Sequence, residues 1–422
     1  MEYQKTVLPN NLRVLSSPMP HTRSVSIAFY MGVGSRYEAE SEGGASHFIE
    51  HLLFKGTRKW PTALHIASAV EGVGGLINGS TGQEVTVYWA KLAKPHWKLG
   101  FEILSDMLLN PLFREEDVEK ERHVILEEMN MLMDSPEDWV YIMAIHLLWP
   151  GHPLGREIIG TRESLSNLTR QHLINYMRRH YIPSQAVISV AGDISHQEVL
   201  DAVSEYLEEW VDGRAFSYLP APNHSDGPSQ DYQKRQTEQV HMVLNWRGLP
   251  LNHPDRFALR VMNAILGEGM SSRLFTEIRE KRGLAYRIHS YLEFFQDTGA
   301  MGISAGIAPS RFDEALCAIA EQLARLKEQE VPEEELRKAK EFIKGRLLLQ
   351  LEDSFSVAAW LGRQELLLGH ILSVDEVIEA IEAVTPQDVR RLACELLKPS
   401  NFNLAVIGPF GEEKDWVKVF NL

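Results

Sequence analysis

The sequence predicts an α+β protein of two homologous halves, each a mixed or antiparallel sheet packed with helices in an α/β-roll-like arrangement. Three observations support this class. The first is an internal repeat: Thr169-Arg170-Gln171 opens a helical run ending at Tyr181, and Pro183-Ser184 then leads into a strand over 186–192. Thr385-Pro386-Gln387, a run ending at Leu397, Pro399-Ser400 and a strand over 402–408 follow in the same order, 216 residues later in a chain of 422. The second is the stretch 213–236, which carries Gly213, Pro220, Pro222, Gly227 and Pro228 among Asn, Ser and Asp, the chemistry of an exposed connection. The third is that strands and helices interleave without a strict βαβ rhythm. The expected domains are 1–212 and 237–422, joined by a linker at 213–236.

The elements of the first half follow from local pattern. Strands are expected at 13–15 and 25–30, where apolar and β-branched residues dominate. A short helix is expected over 43–54 and a second over about 63–71, which Gly74-Gly75 ends. The glycine turn runs into strand-forming sequence, with a strand over 85–92 and helices near 97–109 and 115–133. Glu115, Glu116 and Asp117 open the last of these, where negative charge complements the helix dipole.

Composition narrows the function classes. A hydrophobic fraction of 44% with 24% charged residues is that of a soluble globular protein, and the length calls for at least two domains. Forty-three basic against 58 acidic residues give a formal charge of −15, which argues against nucleic acid or an anionic membrane as main partner. No apolar run reaches the roughly 18 residues that a spanning helix needs. The start, Met1-Glu2-Tyr3-Gln4-Lys5, has neither signal nor transit character, so the expected location is cytoplasmic, or the chain is a mature form with its leader removed. Cys317 and Cys394 fall in helical segments and are expected in the core rather than in a disulfide.

The candidate chemistry sits in His47-Phe48-Ile49-Glu50-His51. Residues four apart on a helix share a face, so His47 and His51 can offer ring nitrogens to one ion. Glu50 lies beside that position, where it can take a proton from a water whose pKa a metal has lowered. Phe48, Leu52 and Leu53 point to a largely buried helix, in which two imidazoles and a carboxylate need a partner. A catalytic zinc takes three protein ligands, and the third is sought in the acidic helix. Glu121 and Glu128 are two turns apart on one face, while Glu127 points away; one of the two can ligate and the other steady an imidazole.

On these residues the chain resembles the M16 inverzincin metallopeptidases, a family that includes the mitochondrial processing peptidase, pitrilysin and the insulin-degrading enzyme. The H-x-x-E-H string is followed by an E-x6-E pair with 76 residues between His51 and Glu128, and Gly151-His152-Pro153-Leu154-Gly155-Arg156 and both Pro-Ser strands also match. The resemblance implies a zinc endopeptidase with one Zn2+ per chain on His47, His51 and Glu128. It makes Glu50 the general base and Glu121 a carboxylate that supports a ligand imidazole.

Read from residues alone, 74–81 is an ordinary edge strand and 279–286 a basic helix end running into a strand. The resemblance makes the first a strand to which a peptide substrate adds, with Asn78, Gly79 and Thr81 as binding positions and Gly79 where the family carries Ala. It matches Arg279 and Tyr286 to the R-x6-Y pair that engages substrate and oxyanion. In a chain of this length they would act across a homodimer, on the partner's zinc site. Asp134, Glu137 and Asp138 offer only a partial match to carboxylates that select basic peptides. At the 216-residue offset His47, Glu50 and His51 fall on Asn263, Leu266 and Gly267, so the second half is expected to hold no metal. The alternative is a non-catalytic or partner-dependent subunit of a processing-peptidase-like heterodimer.

Overall fold

Six stretches of the first half form strands β1 (Gln4–Val7), β2 (Arg13–Pro18), β3 (Ser24–Met31), β4 (Leu76–Thr81), β5 (Thr86–Ala93) and β6 (Ala186–Gly192). In the computed structural model, which describes residues 2–222, 227–412 and 414–421, they pair in the order β1-β2-β6-β3-β5-β4. The β2–β6 pair is parallel and the others are antiparallel. Strand β6 is buried along its whole length and β3 along nearly all of it, as befits central strands covered on both faces. Strand β4 alternates exposed and half-buried residues and has one unpaired edge.

Five further strands repeat this plan: β7 (Ser229–Lys234), β8 (Val240–Arg247), β9 (Ala285–Phe294), β10 (Gly299–Ile307) and β11 (Asn403–Gly408) pair in the order β7-β11-β8-β10-β9. Strands β7 and β8 begin 216 residues after β2 and β3, and β7–β11 is again the parallel pair. The duplication is thus a duplication of topology, and the α+β class with two homologous halves holds. Strand β7 lies within 213–236, the stretch expected as a linker; Asn223 to Asp226 of that stretch fall outside the described residues.

Each sheet is covered by a helix from the other half of the sequence. Chain contacts divide the protein into one unit of Met1–Met129, Arg156–Leu219 and Leu348–Ser373, and another of Asn130–Gly155, Pro220–Leu347 and Val374–Leu422. In the first, helix Ser354–Leu368 lies on β2, β3 and β6, and Val357, Ala358 and Leu361 pack with Leu15, Ala28, Tyr30, Val187 and Ala191. Gly362 permits this approach, because a Cβ there would lie 2.5 Å from the Tyr30 ring. In the second, helix Pro136–Leu148 lies on β8 and β11 through Val140, Met143 and Ala144 against Val243, Ala405 and Ile407.

The cysteines correct an expectation: both are exposed. Cys317 falls between buried Leu316 and Ala318, but helix Phe312–Glu328 turns it outward with Glu321.

Candidate metal centre

Helix α1 (Ala45–Leu53) buries Ala45, Phe48, Ile49, Leu52 and Leu53 and turns His47, Glu50 and His51 to its other side. Its start needs glycine: Gly44 has φ +87°, and a Cβ there would stand 2.6 Å from the Ile159 carbonyl. The first turn is capped from a distance, since the Gly44 and Ser46 N–H groups each donate to the buried Glu38 carboxylate at 2.8 Å. Burial pushes Glu38 up to about 7, against the pull of those two amides.

The third donor comes from α2 (Glu115–Asp134), whose buried positions Val118, Glu121, Ile125 and Met129 define one face. Glu128 lies half-exposed beside that face, with Oε2 at 3.9 Å from His47 Nε2 and 3.6 Å from His51 Nε2. One ligand atom from each residue falls within 4.8 Å of the others, and no other such trio occurs among the described residues. A tetrahedral zinc with bonds of about 2.0–2.1 Å needs its ligand atoms about 3.4 Å apart; both Glu128 distances lie within about half an ångström of that, and the trio as a whole, spread within 4.8 Å, would draw together around the ion.

Protonation states suit the same role. Burial, with the adjacent His51 ring, pushes His47 down to about 4 and leaves it a neutral imidazole with a lone pair to give. His51 Nδ1 lies 3.2 Å from Glu121 Oε2. A carboxylate can only accept, so Nδ1 carries a proton, and Nε2, facing Glu128, is the atom left to ligate. Burial alone would lower His51, but the Glu121 hydrogen bond and the charges of Glu128, Glu121 and Glu50 raise it. Glu121 in turn is held below the ordinary carboxylate range, because bonds to His51 and Lys55 outweigh its burial; Lys55 Nζ stands 2.6 Å from Oε1.

Glu50 is raised, mainly by burial, and the Thr81 hydroxyl, which donates to its Oε2, opposes the shift. Gly79 backs the same side chain: a Cβ at that position would meet Glu50 Cγ at 3.0 Å and the Phe54 ring at 3.1 Å. Strand alternation therefore turns Gly79 and Thr81 toward α1, while Asn78 faces the other way and accepts the Gly79 N–H at 2.8 Å.

In the second unit, Arg279 and Tyr286 come together. The guanidinium carbon lies 5.4 Å from the Tyr286 ring centroid and 4.6 Å from that of Phe275, on a π-helical turn, Phe275–Lys281. Tyr286 is 75% exposed, unusual for so large an aromatic residue. The counterparts of the metal motif lie in helix Arg256–Gly267, where a Cβ at Gly267 would stand 2.5 Å from the Ser290 amide. That helix rests directly on β9 and leaves no room for an imidazole.

Lys55 and Glu38 were not singled out from the sequence. Lys55 lies just past the end of α1, where helical spacing from His51 no longer applies, and Glu38 has no helical signal of its own, because the fold of the preceding loop brings it to the α1 terminus.

Residues 13–162 match the family model described as Insulinase (Peptidase family M16), and residues 167–343 match the Peptidase M16 inactive domain. An uncharacterized zinc protease of Mycobacterium leprae is 40% identical over 97% of this chain and 92% of its own length. The chain belongs to peptidase family M16. The M16 fold is equally plain in solved structures. A protease from Helicobacter pylori superposes with a TM-score of 0.90 at 24% identity, over 97% of this chain and 99% of that one. A chain of complex III2 from Candida albicans, with Inz-5 bound, superposes with a TM-score of 0.84 at 22% identity, over 99% of both. No helix among the described residues of this M16 chain is long and apolar enough to cross a membrane.

Proposed function

We propose that this M16 chain is a zinc-dependent endopeptidase that hydrolyses peptides or unfolded polypeptide segments. The observation that carries the reading is the convergence of His47, His51 and Glu128 beside a half-buried, separately held carboxylate, Glu50. Zinc, when bound, supplies a Lewis acid that polarises the scissile carbonyl and acidifies water at neutral pH. Glu121 and Lys55 keep His51 in the tautomer that ligates. Glu50, its basicity raised by burial, takes the proton of the attacking water and returns it to the leaving amine.

The free edge of β4 offers main-chain groups to an extended peptide, which gives affinity without strict side-chain preference. Arg279 and Tyr286 supply a cation and a phenol suited to developing negative charge, acting in a homodimer on the partner chain's site. A non-catalytic subunit is the second reading, and the complex III2 chain shows that the same fold is found in a larger complex. The complete donor set and the held carboxylate favour catalysis, since a docking subunit needs neither.

The test is a digest of a randomised decapeptide pool combined with metal analysis. The purified chain should contain about one zinc and lose both metal and cleavage on chelation. Glu50→Gln should keep the metal and lose about 10²–10⁴-fold in rate. Undiminished cleavage by Glu50→Gln would overturn the reading.

A further inference from the structure

Glu50 cannot choose its own orientation. It projects from the polar side of α1, three bonds from the backbone, and its position relative to His47 and His51 depends on what its carboxylate touches. Among the described residues, one side chain hydrogen-bonds it: Thr81, whose hydroxyl donates to Oε2. The opposite flank is the bare backbone of Gly79, whose missing Cβ would stand 3.0 Å from Glu50 Cγ and 3.3 Å from Oε1. Glu50 therefore lies against residues 79–81 of β4, held by a donor at one end and given clearance by a glycine at the other. Thr81 itself is fixed by the ladder, since it pairs with Thr86 at the end of the β4–β5 register.

We propose that Thr81 is the positioning residue of the general base, with its side chain serving Glu50 rather than the substrate. This rests on the endopeptidase reading above. Its chemistry is that of a charge-assisted hydrogen bond from the hydroxyl, added to one from the Thr81 backbone: without the hydroxyl, a half-buried carboxylate keeps only the backbone bond and loses the fixed orientation of Oε2. Reacting groups displaced by about 1 Å lose on the order of 10²-fold in rate, so orientation is a substantial share of a general base's contribution of about 10²–10⁴-fold.

The location has a further consequence. Thr81 lies on the edge strand available for peptide pairing, so a substrate that rigidifies β4 also rigidifies the clamp on Glu50. Binding along the strand is thereby converted into alignment of the base, an interaction realised in kcat rather than in KM.

Thr81→Val and Thr81→Ser separate this from a substrate contact. With the decapeptide pool carrying a quenched fluorophore, Thr81→Val should lose roughly 10–100-fold in kcat with apparent KM, zinc content and melting temperature unchanged. Thr81→Ser should restore most of the loss. In a Glu50→Gln background, Thr81→Val should cause no further loss and should leave binding of the fluorescein-labelled pool, read by anisotropy, unaltered. Loss confined to KM or to peptide binding, or full activity in Thr81→Val, overturns the proposal while leaving the endopeptidase reading intact. A wild-type chain that loads zinc but does not cleave the pool overturns both.

Discussion

Glu121 carries out two tasks with one carboxylate: Oε2 fixes the His51 tautomer and Oε1 takes the Lys55 ammonium. Exchange for Gln keeps an acceptor for His51 but removes the charge that makes the imidazole a better donor. Zinc affinity should fall about 10–100-fold, readable by competition with a chromophoric chelator. Glu38 makes a prediction about pH. Its folded pKa is raised to about 7, above the ordinary Glu value of 4.5. The fold therefore favours the neutral acid, and that contribution is full below about 4.5 and lost as pH rises through 7. In chelator, the melting temperature of the wild type relative to Glu38→Gln should decline across this window, and a constant difference would contradict it. At this scale much was legible. The spacing of His47, Glu50 and His51, and of Glu121 and Glu128, follows from helical periodicity alone. The Thr81–Glu50 contact was not, because it joins a helix to a strand that only the folded sheet brings beneath it.

Among elements, the two copies of the motif helix differ in what they rest on. Helix α1 keeps its polar side free for ligands, whereas helix Arg256–Gly267 is pressed onto β9 at Gly267. Placing His at 263 and 267 with Glu at 266 should not create a second site. The side chain at 267 must displace the Ser290 backbone, an overpacking cost of about 1–3 kcal/mol or more. Calorimetry should show a lowered melting temperature, and metal analysis still about one zinc per chain. Strand and helix positions were largely readable, and 63–71, 97–109 and 186–192 fall on observed elements to the residue. The π-helical turn at Arg279 was not, since its hydrogen-bond pattern is imposed by packing rather than by composition.

At the level of the whole molecule, the assignment of Arg279 and Tyr286 to the partner's site has a specific signature. Equal amounts of Glu50→Gln and Tyr286→Phe chains, each weakly active alone, should recover about a quarter of wild-type activity after subunit exchange, since half the dimers then hold one intact site. No recovery, with exchange confirmed by differential labelling, would place both residues in the same chain as their zinc. The 216-residue repeat announced two copies of one fold, and the strand orders agree. What the repeat did not announce is the exchange of the covering helices. Pro136–Leu148 and Ser354–Leu368 are alike in being largely apolar helices with little sidedness, and sequence carries no mark of which sheet each will cover.

That exchange has a consequence for synthesis. The first sheet is complete when β6 emerges from the ribosome, yet the helix that covers its apolar face lies at Ser354–Leu368; the Lys5–Glu365 ion pair spans 360 residues of chain. At about 5–20 residues per second, Leu15, Ala28, Tyr30, Val187 and Ala191 stay uncovered for roughly 10–35 s in each nascent chain. Translation that stops early releases a sticky half-protein rather than a working domain, and every molecule passes through a period in which chaperones must shield it.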